Sequence, residues 1–307
     1  MPTSWRIEID LSLEIGYLSF RFMLIDTHAH VNFSAFQDDA DAVIKRSLDK
    51  DIFFINVGSQ YSTSKRAVEY AQKYPNQLWA AVGVHPVHLR KGNFTYQDEG
   101  ELLTEEITTI GEDVNFEKYR ELGKNQEVVA IGEVGLDYHH FEEGDNEEEL
   151  KNKQKEILLG FIALANELEK PLIIHCWDAY DDLFEILKDN PVKKTGVIHS
   201  FVGGYKTANK FIELGYLIGL NGIITYGESY DRLMREIDIK NIVIETDCPY
   251  LTPLPKKGER NEPAHVAYVA QKIAEIKQIS LEEVSEITTQ NAKKIFDIDP
   301  VQISEKM

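Results

Sequence analysis

The sequence has little of several features that mark specialised protein classes. Its 307 residues contain only two cysteines, too few for a disulfide framework, and this fits a reducing cytoplasm. No apolar stretch approaches the roughly 18 residues of a membrane-spanning helix, and the N-terminus lacks the apolar core of a signal peptide. We therefore expect a soluble, cytoplasmic protein.

Positive charge is also scarce. The chain has 33 Lys and Arg against 52 Asp and Glu, a formal net charge of −19 with histidine neutral. A long DNA-binding groove is normally lined by Lys and Arg, so the composition argues against such a groove but allows a small phosphate site. The usual Gly-rich nucleotide-binding motifs, G-x-G-x-x-G and G-x-x-x-x-G-K-[ST], do not occur.

Short apolar runs alternate with amphipathic segments along the chain. Eight runs are typical of buried parallel strands, at residues 22–25, 52–57, 78–84, 128–131, 171–174, 196–198, 216–220 and 242–244. Helical patterns lie between or after them, at residues 38–48, 62–74, 147–169, 180–187, 207–214, 263–276 and 281–296.

Eight strand–helix units over this length predict an α/β fold, a TIM-type (β/α)8 barrel formed by one domain at residues 23–307. The alternative is an open doubly wound sheet, which needs fewer strands and usually a Gly-rich phosphate loop. Residues 1–22 are predicted to be an N-terminal extension. They represent either an upstream start or an added edge strand. The second alternative is based on residues 7–15, which alternate between apolar and polar.

Histidines and carboxylates gather where the predicted strands end. In a barrel these ends meet at one face, where active sites lie. A single histidine at a strand end is usually an ordinary polar residue, but so many at one rim indicate a site for divalent metals. The candidates are His28, His30, His85, Glu133, His175, His199 and Asp247.

The spacing of these residues suits two cations. His28 and His30 are two apart on an extended strand, so their side chains point to the same side. Glu133 comes from the opposite side of the ring, and its two oxygens can bridge two cations. Two cations about 3.5–4 Å apart would hold the attacking and leaving oxygens of a hydrolysis. The remaining strand ends supply His175, His199 and Asp247.

Other conspicuous residues have simpler interpretations. His139 and His140 adjoin an acidic run, and we interpret them as solvated loop residues. Cys176 and Cys248 each follow a candidate ligand and are predicted to be small buried residues, because adjacent strand residues point to opposite faces. Three aromatic residues near the barrel mouth suit either stacking on a base or packing, namely Tyr138, Trp177 and Tyr250.

Six motifs, taken in chain order, resemble those of the TatD family. They are DTHAH at 26–30, VGVHP at 82–86, AIGEVGLDY at 130–138, PLIIH at 171–175, IHSF at 198–201 and ETDCPYL at 245–251. RNEP at 260–263 also resembles the family's loop before its penultimate helix, and the resemblance covers residues 23–296. It implies a barrel of the metal-dependent hydrolase superfamily and a Mg²⁺-dependent deoxyribonuclease.

The resemblance also implies roles for individual residues. For the mechanism we hypothesise that two divalent ions activate water, that Asp247 accepts its proton, and that Glu133 and His85 complete the catalytic set, with His85 near the metals or the substrate. The family points to Mg²⁺, whereas four imidazoles favour Zn²⁺ or Mn²⁺. By the same resemblance one metal is held by His28, His30, Glu133 and Asp247, and the other by Glu133, His175 and His199.

The implied substrate is DNA, contacted locally as a single strand or a strand end by a monomer with no membrane partner. Two cations can attract phosphates despite the acidic surface. The loop after the last strand offers a small basic patch of Lys256, Lys257 and Arg260. The sequence departs from the family at Trp177, where an Arg is common, and in its extra residues 1–22.

Two other functions compete with the deoxyribonuclease. A barrel hydrolase of another ester or amide, such as a D-aminoacyl-tRNA or a small lactone or amide, would use the same ligands. A binding or scaffold protein with a vestigial barrel would lack some ligands, whereas all six are present in this sequence.

Overall fold

In a computed structural model, which describes residues 22–96 and 105–301, eight parallel strands form one sheet. The sheet order is β1-β2-β3-β6-β7-β8-β9-β10, and β4 and β5 form a separate antiparallel hairpin. The strands span β1 Leu24–Ala29, β2 Ile52–Val57, β3 Leu78–Val82, β4 Lys91–Tyr96, β5 Glu105–Ile110, β6 Val128–Asp137, β7 Leu172–Trp177, β8 Gly196–Ile198, β9 Leu217–Leu220 and β10 Ile242–Ile244.

The first and last strands of the sheet meet and close it. The backbone N–H of Asp247 donates to the carbonyl of His28 at 2.8 Å, and the N–H of His30 donates to the carbonyl of Cys248 at 2.9 Å. Ala29 and Cys248 form a parallel bridge. This closure confirms the predicted TIM-type barrel and excludes the open doubly wound sheet.

Helices follow most of the barrel strands and cover the outside of the sheet. The long ones begin at side-chain caps: Ser280 accepts from the N–H of Glu283, and Asn146 accepts from the N–H of Glu149. The helices span α1 Ala40–Leu48, α2 Tyr61–Lys73, α3 Phe116–Gly123, α4 Glu147–Leu168, α5 Tyr180–Asp189, α6 Tyr205–Glu213, α7 Asp231–Glu236, α8 Val266–Lys277 and α9 Leu281–Phe296. None within the described ranges is long and apolar enough to cross a membrane.

The barrel strands are buried on both faces, which explains why their sequences are continuous apolar runs. Every residue of β2 and of β3 is buried, because side chains of other strands fill the inside and helices cover the outside. Full burial of a side chain such as Phe54 contributes about 1.5–3 kcal/mol to stability. The rigid core holds the carboxyl ends of the strands in fixed positions.

The structure differs from the sequence predictions in one strand and in several additional elements, and one prediction concerns residues outside the described part of the chain. β6 extends to Asp137, whereas the run was predicted to end at residue 131, so Glu133 lies inside a strand. The β4–β5 hairpin and helices α3 and α7 were not predicted. Residues 1–21, and with them the alternation over residues 7–15, lie outside the described residues, and the division at residue 23 stays a prediction.

Candidate metal centre

The structure brings all six predicted metal ligands together at the carboxyl end of the barrel. Each is buried, and each comes from a different barrel strand or the loop after it, except His28 and His30, which come from β1 and the residue after it. The set is His28, His30, Glu133, His175, His199 and Asp247. The fold therefore converts six positions spread over 220 residues of sequence into one cluster of nitrogen and oxygen atoms.

His28, His30 and Asp247 form one group. The Nε2 atoms of His28 and His30 are 3.0 Å apart, and His30 Nε2 lies 3.2 Å from Asp247 Oδ1. His30 Nδ1 lies 2.8 Å from the carbonyl oxygen of Val57, which can only accept, so Nδ1 carries the proton. In the neutral ring the lone pair of His30 Nε2 then faces His28 Nε2 and Asp247 Oδ1, and either a proton or a cation between these atoms would offset the repulsion of their lone pairs.

Glu133 joins this group to a second one. Its Oε2 lies 3.5 Å from His28 Nε2 and 3.7 Å from His30 Nε2. Its Oε1 lies 2.8 Å from His199 Nε2 and 3.2 Å from His175 Nδ1. Each carboxylate oxygen of Glu133 thus faces a different pair of histidines.

The spacing of these atoms suits divalent cations. Ligands about 2.1 Å from one ion lie about 3.0–3.4 Å apart at octahedral or tetrahedral angles. The closest contacts within the two groups are 2.8–3.2 Å. Imidazole and carboxylate donors therefore fit two ions that share Glu133, with four protein ligands for one and three for the other.

His85 lies beside the second group but acts differently. Its Nδ1 accepts from the backbone N–H of Val87 at 3.2 Å, so in the neutral ring the proton is on Nε2. Burial holds the pKa of His85 well below its ordinary value, which favours this neutral ring. Nε2 lies 3.4 Å from Glu133 Oε1. His85 is therefore suited to donating a hydrogen bond at the site rather than to binding a metal.

A second layer of carboxylates supports two of the histidines, and sequence reasoning missed it. Asp137 Oδ2 lies 2.9 Å from His175 Nε2, and buried Glu245 places Oε1 3.5 Å from His199 Nδ1. Such partners fix the ring orientation of a metal-binding histidine and make it a stronger ligand. Gly219 leaves room for Glu245, because a Cβ there would meet Glu245 Oε2 at 2.5 Å. Asp137 lies in the motif AIGEVGLDY and Glu245 in the motif ETDCPYL, so their positions in these motifs are the sequence signal that could have identified them.

Charge is strongly coupled across the cluster. Burial alone would raise the pKa of Asp247, but the hydrogen bond from His30 and the nearby imidazoles lower it to about 2. Burial likewise opposes charge on His175, yet its bonds to Asp137 and Glu133 raise its pKa to about 9. In the metal-free cluster His175 therefore carries an additional proton at neutral pH, and a metal cation must displace that proton to bind.

A cavity that is open to solvent lies above the cluster. His30, Glu133, His175, His199 and Asp247 are at its base, and none of the described residues that line it is Lys or Arg. Much of its wall is apolar or aromatic, formed by Phe33, Val87, Cys176, Trp177, Val202, Ile223, Tyr250 and Leu251. The cavity can thus bind a small group of the substrate directly above the candidate ligands.

The predicted basic patch does not contribute to this lining. Arg260 donates to both oxygens of Asp39 at 2.9 and 2.7 Å and contacts Glu262 at 3.3 Å. Lys256 lies 3.2 Å from Glu259. Lys257 lies over the ring of Tyr226. These contacts pair the charges locally, and substrate binding by Lys256, Lys257 and Arg260 stays a prediction that the geometry does not favour.

The interpretation of His139 and His140 as solvated is wrong for His140. His140 lines the cavity, and its Nδ1 lies 2.8 Å from Asp137 Oδ2. His139 is exposed but stacks on Trp177. Of the three aromatic residues, Trp177 and Tyr250 line the cavity, whereas the hydroxyl of Tyr138 contacts Asp182 at 2.7 Å.

The two cysteines are buried and free, as predicted. Burial raises the pKa of both thiols, so neither is a thiolate at neutral pH. Cys176 is buried and belongs to the cavity lining, and Cys248 is fully buried. The metal donors are thus nitrogen and oxygen atoms.

Comparison with known proteins gives concordant matches. The family described as TatD related DNase matches residues 25–297. YabD of Bacillus subtilis, named an uncharacterized metal-dependent hydrolase, is 37% identical over 281 residues, which cover 90% of this chain and 100% of YabD. YcfH of Escherichia coli, named in the same way, is 30% identical and covered to 96%. The crystal structure of YJJV, a TATD homolog from Escherichia coli, gives a TM-score of 0.76 at 27% identity, with 90% of this chain and 98% of YJJV covered.

Proposed function

Because this chain belongs to the TatD-related DNase family and is a metal-dependent hydrolase, we propose that it hydrolyses phosphodiester bonds of DNA. The observation that supports this most is the position of Glu133, whose two oxygens face two separate pairs of histidines. Paired metal sites of this kind recur in enzymes that cleave phosphodiesters, because two cations can stabilise both the attacking and the leaving oxygen.

The cluster would hold two cations, and both would serve the hydrolysis. When bound, the cations would lower the pKa of water and offset negative charge on the phosphate. Mg²⁺ agrees with the family, while the four imidazoles favour Zn²⁺ or Mn²⁺. One ion would be held by His28, His30, Asp247 and Glu133 Oε2, the other by Glu133 Oε1, His175 and His199.

Asp247 and His85 have the protonation states that the hydrolysis needs. Although burial opposes charge, the surrounding imidazoles lower the pKa of Asp247 to about 2, so it is a charged carboxylate at neutral pH. A group with so low a pKa is a weak base, so Asp247 would orient the attacking water and take its proton only when a bound cation has made that water more acidic. His85 presents its Nε2 proton toward the cluster and can donate it in a hydrogen bond to a phosphate oxygen.

One observation favours a second substrate class. The described cavity lining has no Lys or Arg, and the chain carries a net charge of −19, so contacts to a long polyanion are few. A small neutral carboxylic ester or amide, such as a lactone, would suit such a wall, and of a D-aminoacyl-tRNA only the ester end would have to enter it. If DNA is the substrate, contact is local, at one or two phosphates of a single strand or a strand end.

A substrate panel distinguishes these proposals. We expect chelator-treated protein to be inactive, and Mg²⁺, Mn²⁺ or Zn²⁺ to restore cleavage of single-stranded DNA labelled at its 5′ or 3′ end. The label positions give the direction of cleavage, and parallel reactions with duplex DNA, a D-aminoacyl-tRNA and small lactones measure selectivity. Metal-restored ester or amide hydrolysis without DNA cleavage under any of the three metals would contradict the deoxyribonuclease proposal.

The second layer gives a prediction about metal affinity. Asp137→Asn should weaken binding of one of the two cations about 10- to 100-fold, because His175 loses the carboxylate that orients its ring. Calorimetric titration of the metal-free protein with Mn²⁺ measures this directly. The matched control is Asp178→Asn, because the exposed carboxylate of Asp178 contacts His139, which is not one of the candidate metal ligands. Equal affinities in Asp137→Asn and wild type would show that Asp137 has no role in metal binding.

A further inference from the structure

Trp177 occupies a position in the cavity wall that the metal chemistry does not use. It ends β7 two residues after His175, so both side chains leave the strand on the same side, toward the barrel mouth. Its side chain is half-buried and lines the cavity. A large flat ring therefore stands beside a candidate metal ligand, with part of its surface open to the cavity.

Among the residues that the structure describes, the aromatic side chains nearest to Trp177 lie on one face of its ring. His139 stacks parallel to it, with centroids 4.7 Å apart and an interplanar angle of 10°. His140 lies 5.1 Å from Trp177 and 5.0 Å from His139. Rings on opposite faces of Trp177 would be nearly twice as far from each other, so both histidines lie on one side. Among the described residues the next aromatic ring, that of His175, is 6.5 Å away.

The contacts of His139 hold Trp177 in place. His139 Nδ1 lies 2.8 Å from Asp178 Oδ2, which fixes the imidazole against the indole. Asp137 Oδ1 accepts from the backbone N–H groups of both His139 and His140, at 3.0 and 2.9 Å, which fixes the turn that carries them. His139 thus holds one face of the Trp177 ring before any substrate binds. A base that stacks on the other face would therefore need little further ordering of the Trp177 side chain.

The cavity that Trp177 lines also has a group of uncharged, mostly apolar residues in its wall. Cys176, Val202, Ile223, Tyr250 and Leu251 belong to the same lining. A wall of this composition, beside a base of histidines and carboxylates, suits a flat ring that is attached to a charged ester. A nucleotide has both parts, a base with two stackable faces and a phosphate one sugar away.

We propose that Trp177 and this apolar wall bind the nucleobase adjacent to the scissile phosphate. This inference rests on the proposed function and names the part of the substrate that the cavity recognises. Stacking of a base on an aromatic side chain tightens binding about 5- to 150-fold. Base stacking replaces the Lys and Arg contacts that the described lining lacks.

The test compares two ligands that differ only in the base. Binding of thymidine 5′-monophosphate and of 2-deoxyribose 5-phosphate to the metal-loaded protein is measured by calorimetry. We expect wild type to prefer the nucleotide at least 5-fold. Trp177→Leu and Trp177→Ala should bring the ratio close to one by weakening nucleotide binding alone, and Trp177→Phe should keep part of the preference.

Trp79→Phe is the matched control, because Trp79 is buried in β3 and outside the lining, and it should keep the wild-type ratio. The proposal is overturned if wild type binds both ligands equally, or if Trp177→Leu and Trp177→Ala retain the preference. Failure of the proposed function would appear separately, as absence of DNA cleavage in a protein that still prefers the nucleotide.

Discussion

Asp247→Asn should abolish hydrolysis while the barrel stays folded. The substitution removes the carboxylate that lies 3.2 Å from His30 Nε2 and 3.7 Å from His28 Nε2. Loss of a general base alone costs about 10²- to 10⁴-fold in rate, and loss of a charged metal ligand adds to this. We expect kcat/KM on labelled single-stranded DNA to fall at least about 10³-fold.

Asn is the appropriate replacement because of the backbone at this position. Asp247 has φ 57°, in the left-handed region that Asp and Asn tolerate better than most residues. An Ala substitution would add a backbone penalty and confuse a catalytic loss with a structural one. The circular dichroism spectrum and Tm of Asp247→Asn should therefore stay close to those of wild type.

Asp297→Asn is a matched control for this variant. Asp297 also has a left-handed backbone, φ 56°, but it is an exposed residue at the end of α9 that contacts Lys194. Its activity should equal that of wild type. Purified Asp247→Asn with activity within about 10-fold of wild type would remove Asp247 from the role of base.

The parts of the fold that were predictable are those with continuous buried runs. β2 reads IFFINV and β3 reads LWAAV, and burial on both faces leaves no polar position to obscure them. The β4–β5 hairpin, KGNFTY and EEITTI, has no such run. β6 was predicted too short because glycine and glutamate follow residue 131 in the strand, where they serve the site rather than the core.

The metal ligands were predictable because strand order alone brings strand ends together. The contacts of Asp137 and His140 depend on how one loop folds back over β6, which no spacing rule gives. The ion pair of Arg260 was not predictable for a related reason. Its partner Asp39 is 221 residues away in sequence and meets it only because β1 and β10 close the barrel. Contacts between residues on the two sides of the barrel closure depend on the tertiary structure, so the local sequence does not reveal them.

Glu133→Gln should have the largest effect on metal content. Glu133 faces His28 and His30 through Oε2, and it faces His175 and His199 through Oε1. Glutamine is similar in size, but its amide is neutral and offers one oxygen in place of two. We expect metal stoichiometry to fall from two ions per chain to one or none. Hydrolysis should fall about 10³-fold or more, because metal ions supply several kcal/mol of transition-state stabilisation.

The two carboxylate variants distinguish a bridging role from that of a ligand to one ion. Asp247→Asn leaves the His175 and His199 group intact, so it should retain at least one ion, whereas Glu133→Gln affects both groups. Glu127→Gln, just before the same strand at the opposite end of the barrel, is the control and should bind metal as wild type does. Two ions retained in Glu133→Gln would show that Glu133 does not bridge them, and the structure would then support two independent sites.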